Sequence, residues 1–207
     1  MKPWKLFDLI KESHYQTVGD GLDYCIDYIE EEDTVYVLFE QSRGAVDWRT
    51  NLNFIPYLTE KTPYGKIAFH GGYYRAFLSG LGQILIDFES MIKDHESSNV
   101  IISGWSYGGG ISVLCAWAIN KYFNIKASVI TFGAPKVLCT KKSLKALSHM
   151  CGEVKQYSHV NDLVPLLPPI GFYHINKVDV GSGKRWYRIF NPNKYHTMYG
   201  DKAIYKE

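Results

Sequence analysis

The chain has 207 residues, of which 46% are hydrophobic, 15% aromatic and 21% charged, with a formal net charge of +2. A chain of this size buries roughly 70% of its unfolded surface, enough for a substantial core without staples. The composition excludes disorder, and near-neutrality excludes the strongly basic footprint of a nucleic-acid binder.

Residues 2–14 read as an N-terminal amphipathic helix carrying Asp8, Lys11 and Glu12. It lacks the apolar run and small-residue cleavage site of a signal peptide. The cytoplasm is therefore the default compartment, with leaderless export left open. Glu30 to Asp33 is a solvated acidic turn. Thr34 to Phe39 (TVYVLF) is a continuous apolar and β-branched run, the pattern of a strand covered on both faces. A long connection over 43–65 leads to a second strand at Lys66–His70. Tyr73, Phe77, Leu81, Ile84, Phe88, Met91 and Ile92 then recur at helical spacing.

Ser97 to Asn120 carries no charge, long enough to suggest a membrane span. Its interior argues otherwise. The β-branched run Val100-Ile101-Ile102 gives way to Gly104, Gly108, Gly109 and Gly110, and the apolar run resumes only at Ile111. Glycines so placed break a helix in the middle. A buried strand, a tight turn and a buried helix fit, with no transmembrane segment. Further strands are expected at 127–132, 153–159 and 184–190, with a helix at 141–150. Strands alternating with helices imply βαβ units, a mostly parallel sheet and one domain over 1–207. The four cysteines (Cys25, Cys115, Cys139, Cys151) form no CxxC pair and read as buried free thiols, and no metal is implied.

Gly104-Trp105-Ser106-Tyr107-Gly108 matches G-x-S-x-G and lies where a strand becomes a helix. That turn strains its central residue and lifts the serine oxygen above the sheet. The helix start beneath supplies N–H groups and a favourable dipole for an oxyanion. A nucleophilic serine needs a base, and the base an orienting carboxylate, in the chain order Ser, acid, His. Asp162 follows the 153–159 strand, at the carboxyl end where open parallel sheets place their sites. Asp179 precedes a Gly-Ser-Gly turn and fits less well. His196, in the polar segment after the last strand, is favoured as the base, with His159 and His174 as alternatives.

Further blocks appear in order. Phe39-Glu40-Gln41-Ser42 is followed by Asp47-Trp48-Arg49-Thr50-Asn51-Leu52 and then by Phe69-His70-Gly71-Gly72. After the serine turn come Thr131-Phe132-Gly133-Ala134-Pro135, Asn161-Asp162-Leu163-Val164-Pro165 and His196-Thr197-Met198-Tyr199. From roughly Thr34 to Gly200 the chain resembles the class 3 (fungal-type) lipases. That resemblance implies an α/β-hydrolase fold, a mostly parallel central sheet flanked by helices in a single three-layer domain.

It also implies roles: Ser106 as nucleophile, His196 as base, Asp162 as its orienting partner, with Ser42 and the N–H of Tyr107 forming the oxyanion hole. No cofactor is required. The substrate class implied is a lipid or other acyl ester, reached through transient contact with a lipid interface. Two departures stand out. The family's Arg-Gly before the oxyanion residue is Glu40-Gln41 here, and its His-Ser-Leu is Trp105-Ser106-Tyr107. Residues 44–58, with Trp48, Leu52 and Phe54 beside Asp47 and Arg49, have the amphipathic character of a lid. Trp105 is expected to shape the substrate site. Acyl transfer or peptide hydrolysis on the same residues, and a non-catalytic lipase-like interaction protein, are the competing readings.

Overall fold

In the computed structural model the described residues are 1–40, 55–59, 61–97, 99–183 and 192–205. The chain opens with α1 (Pro3–Glu12), whose first-turn proline sits where a helix has no acceptor for an N–H. β1 (Gln16–Val18) and β2 (Leu22–Ile29) form a hairpin, and β3 (Thr34–Phe39) follows. β4 (Pro56–Leu58) and β5 (Ala68–His70) pair with each other in a separate two-stranded ribbon. Helix α2 (Gly71–His95) leads to β6 (Val100–Trp105), and α3 (Tyr107–Phe123) to β7 (Ser128–Phe132). Then come α4 (Lys141–Ser148), β8 (Val154–His159), β9 (Lys177–Val180) and α5 (Pro192–His196).

The main sheet runs β1-β2-β3-β6-β7-β8-β9, antiparallel over its first two pairings and parallel from β3 onward. All six residues of β3 are buried, as its unbroken apolar run requires. Alternate side chains serve opposite layers. Val35, Val37 and Phe39 pack with Phe77, Ile84 and Phe88 of α2 and with α3. Tyr36 and Leu38 pack with Leu6, Phe7 and Ile10 of α1 and with Tyr199 and Ile204. Helix α3 lies within the first layer with its residues buried from Tyr107 to Ile119, which explains the absence of charge before Lys121. No helix among the described residues is long and apolar enough to cross a membrane.

The structure differs from the sequence reading in several places. Residues 68–70 form a strand, but it leaves the main sheet and pairs with β4. The end of the expected lid segment, 56–58, is that β4 and is held by the same ladder. Strands β1, β2 and β9 are absent from the sequence reading. β2 alternates Leu22, Tyr24, Ile26 and Tyr28 with Asp23, Cys25 and Asp27, the two-residue period of a sheet margin. β9 has only four residues, two of them charged. The strand expected at 184–190 lies outside the described residues. Of the four free thiols, Cys115 and Cys151 are buried, while Cys25 and Cys139 are only half-buried. Burial pushes the Cys139 and Cys151 thiols up to about 12.

Candidate active site

Parallel register brings the carboxyl ends of four strands level: Phe39 pairs with Gly104, Trp105 with Phe132, and Phe132 with Tyr157. Ser106 is the single residue between β6 and α3, with φ 55° and ψ −120°. Such a conformation costs about 1–3 kcal/mol in a non-glycine residue. It is held by its neighbours: the Ser106 N–H donates to the Phe132 carbonyl (2.9 Å), and the Ser106 carbonyl accepts from Gly110 N–H (3.3 Å). A Cβ on Gly108 would lie 2.3 Å from the Phe39 carbonyl oxygen, so only glycine lets α3 start against β3. The Ser106 side is half-buried, and Tyr107 opens α3 at the positive end of its dipole.

The residue after Phe132 is Gly133, at φ 58°. A Cβ there would come within 2.9 Å of both Asp162 Oδ2 and the His196 ring. Above this glycine the two side chains meet: His196 Nδ1 lies 2.8 Å from Asp162 Oδ2. The carboxylate side chain is fully buried, whereas the imidazole keeps 15% of its surface exposed. A buried carboxylate needs donors. Here Oδ2 also accepts from Tyr199 Oη (2.7 Å), and Oδ1 accepts from Val164 N–H (2.9 Å). Donation from Nδ1 leaves Nε2 of neutral His196 as the acceptor.

The competing residues lie elsewhere. His174 is half-buried with Nε2 2.9 Å from the Pro165 carbonyl oxygen, and desolvation, aided by Lys136 and Lys177, holds its pKa at about 4 despite that hydrogen bond. His159 stacks on Tyr195, accepts the Asn161 N–H at Nδ1 (3.1 Å), and has its pKa lowered by burial against the opposing pull of Asp162. Asp179 pairs with Lys177 at 2.5 Å on β9. Ser42, Trp48, Leu52 and Phe54 lie outside the described residues.

Trp105 meets the site from beneath, its ring centroid 5.5 Å from that of His196. It is 7% exposed, packs edge-on against Phe7 (5.3 Å between ring centroids), and belongs to the layer under α1. Its Nε1–H donates to the His196 backbone carbonyl (3.0 Å). The indole therefore anchors the histidine segment from beneath. A bulky residue before the serine alternates to that face by strand geometry.

Two residues without an assigned role in the sequence reading support the site: Gly133 and Tyr199. The signal for Gly133 is its position just past a strand end, and that for Tyr199 is its spacing from His196. Tyr199 is fully buried and accepts the His159 N–H (2.9 Å) while donating to Asp162. Burial and the Asp162 charge push its pKa far above the usual phenol value, so it stays a donor. Tyr199→Phe leaves one buried donor and one buried carboxylate oxygen short of a partner. It is expected to lower stability by about 2 kcal/mol, read from urea unfolding. An unchanged midpoint would remove Tyr199 from this supporting role.

The family model for lipase (class 3) matches residues 36–172. The chloroplastic phospholipase A1 PLIP2 of Arabidopsis thaliana is 31% identical over 155 residues, covering 72% of this chain and 21% of that protein. A lipase of Rhizomucor miehei is 24% identical over 151 residues, covering 70% of this chain and 41% of that one. The chain thus spans less than half the length of these two relatives. The native Rhizomucor miehei lipase–propeptide complex has the same fold, with a TM-score of 0.71 at 19% identity over 82% of this chain and 56% of that chain. The main sheet, its flanking helices and the strained serine turn are those of the α/β-hydrolase fold, and the chain belongs to the class 3 lipase family.

Proposed function

We propose that the chain is a serine hydrolase of carboxylic esters, acting on lipid or other acyl esters through Ser106, His196 and Asp162. The observation that carries this reading is the His196–Asp162 hydrogen bond, set over Gly133 next to the strand end that fixes Ser106. In the proposed reaction, Ser106 Oγ attacks the ester carbonyl and its proton passes to His196 Nε2. The Asp162 carboxylate holds the imidazole and stabilises the imidazolium. The carbonyl oxygen takes the negative charge beside the Tyr107 N–H, with Ser42 as the second donor. Collapse expels the alcohol, which takes its proton from His196, and leaves an acyl group on Ser106. Water, deprotonated by His196, then releases the acid. The relatives' names, phospholipase A1 and lipase, support an ester of a lipid.

Fluorophosphonate labelling tests the assignment directly. The wild-type chain is expected to form a stable adduct and Ser106→Ala none. Equal labelling of the two would sink the nucleophile, and labelling of neither would favour a non-catalytic role.

A further inference from the structure

Away from the candidate active site, the chain's charge is unevenly spread. Between Ser97 and Gly152 there are six lysines and no aspartate or glutamate, in a chain with 21 acidic residues overall. Part of this basic segment, helix α4, faces the turn that joins β4 to β5. Between them lies a hollow of about 580 Å³, lined among others by Leu58, Tyr64, Lys66, Lys142, Lys145 and His149. No acidic residue lines it among the described residues. The three lysines are exposed, and none is paired with a carboxylate among the described residues.

The hollow is amphipathic. Leu58 is 61% exposed and Tyr64 47%, and Tyr64 stacks on His149 (5.1 Å between ring centroids). The ribbon continues toward the site. Leu58 pairs with Ala68 at the hollow, and two residues on, Pro56 pairs with His70. The His70 ring packs against Tyr73, and Tyr73 against Tyr107, the residue after Ser106. Ile55, at this end of the ribbon, is 72% exposed.

We propose that this hollow and the exposed edge of the β4–β5 ribbon form a docking surface for an anionic lipid bilayer. Lys66, Lys142 and Lys145 meet the phosphate layer, and Leu58, Tyr64 and Ile55 enter the interface. Charge complementarity supplies the cationic requirement. The aliphatic residues beside it favour a lipid surface over nucleic acid, whose bases are met by aromatic stacking platforms. Docking here brings the bilayer against the ribbon that leads to Ser106. The inference concerns binding and does not depend on the esterase reading.

The test uses vesicles of ether-linked phosphatidylcholine with and without ether-linked phosphatidylglycerol, which no esterase can cleave, and sedimentation as the readout. The chain is expected to bind the phosphatidylglycerol vesicles selectively and to lose binding as salt rises. The triple variant Lys66→Gln/Lys142→Gln/Lys145→Gln is expected to bind about 100-fold more weakly. Lys142→Gln and Lys145→Gln alone, both on the outer face of α4, are each expected to cost about 5-fold, and they keep the test sound if the triple variant folds poorly. Equal binding to both vesicle types, absence of binding to either, or single variants that bind like wild type would overturn the proposal. Tighter, lysine-dependent binding to an RNA duplex than to the vesicles would overturn it in favour of nucleic acid.

Discussion

Exchanging Ser106 for alanine is expected to lower kcat on an acyl ester by about 10⁶-fold, and exchanging Asp162 for asparagine by about 10⁴-fold. The second figure follows from the hydrogen bonds around the carboxylate. Oδ2 accepts from both His196 Nδ1 and Tyr199 Oη, while Oδ1 accepts from Val164 N–H. An asparagine must turn its NH₂ toward one of these sides. Facing His196 and Tyr199, it meets two donors and drives the imidazole to the tautomer with its proton on Nε2, where it cannot take one from Ser106. Facing Val164, it leaves a donor against a donor and places only a neutral amide beside the imidazolium. The two losses do not add, because without the serine oxygen there is no proton for His196 to take. The double variant is therefore expected to be no slower than Ser106→Ala alone. Steady-state rates on a p-nitrophenyl ester series check all three chains. An Asp162→Asn chain as active as wild type would place the activation of Ser106 elsewhere.

The parts of this molecule that were legible in the sequence are those whose physics is local. TVYVLF reads as a covered strand because both its faces are apolar, and each face does meet its own layer. The serine turn reads from its glycines, since their job is to let backbone approach backbone within a few residues or across one strand. Asp162 is separable from Asp179 because it follows an expected strand, at the end where a parallel sheet gathers its sites, whereas Asp179 precedes a Gly-Ser-Gly turn. β9 is hard to read because its Lys-Val-Asp-Val alternation runs for only four residues, too few to stand out as a period.

Non-local relations were less legible. Chain order favoured His196 but left His159 and His174 open, because order carries no information about which ring a fold buries. The structure separates them by environment: the rings of both alternatives meet other partners, and only the His196 ring bonds to the Asp162 carboxylate. Trp105 shows the same limit. Its neighbour in sequence is Ser106, yet the pleat sends its ring through to the α1 layer, where it holds the His196 carbonyl. Tyr199 reaches Asp162 only because a short helical turn at Met198–Gly200 folds it beneath the sheet end. Ser42 and residues 44–54 of the expected lid lie outside the described residues, so the Ser42 part of the oxyanion assignment rests on sequence resemblance.

Two glycine-to-alanine exchanges separate the serine turn's steric demand from ordinary helix propensity, with opposite expected signs. Gly104→Ala is expected to destabilise the chain by about 3 kcal/mol, the upper end for overpacking. The new Cβ would sit 2.4 Å from the Gly108 carbonyl carbon and oxygen and 2.8 Å from the Gly109 nitrogen. These are backbone atoms at the start of α3, not the ends of pliable side chains. Nor can β6 retreat, since Gly104 is paired with Phe39 on one side and Thr131 on the other. Relief must come from lifting α3, and that lifts Ser106 away from the Phe132 carbonyl it donates to. Gly82→Ala is the counterpart. Gly82 is exposed in the middle of α2, and a Cβ there meets nothing within 4 Å. The exchange removes backbone entropy from the unfolded chain and is expected to stabilise by about 0.5–1 kcal/mol. Urea unfolding of both variants reads the difference. A Gly104→Ala chain as stable as wild type would mean that α3 can rise without loss, and the close strand-to-helix approach would then not be what fixes the serine.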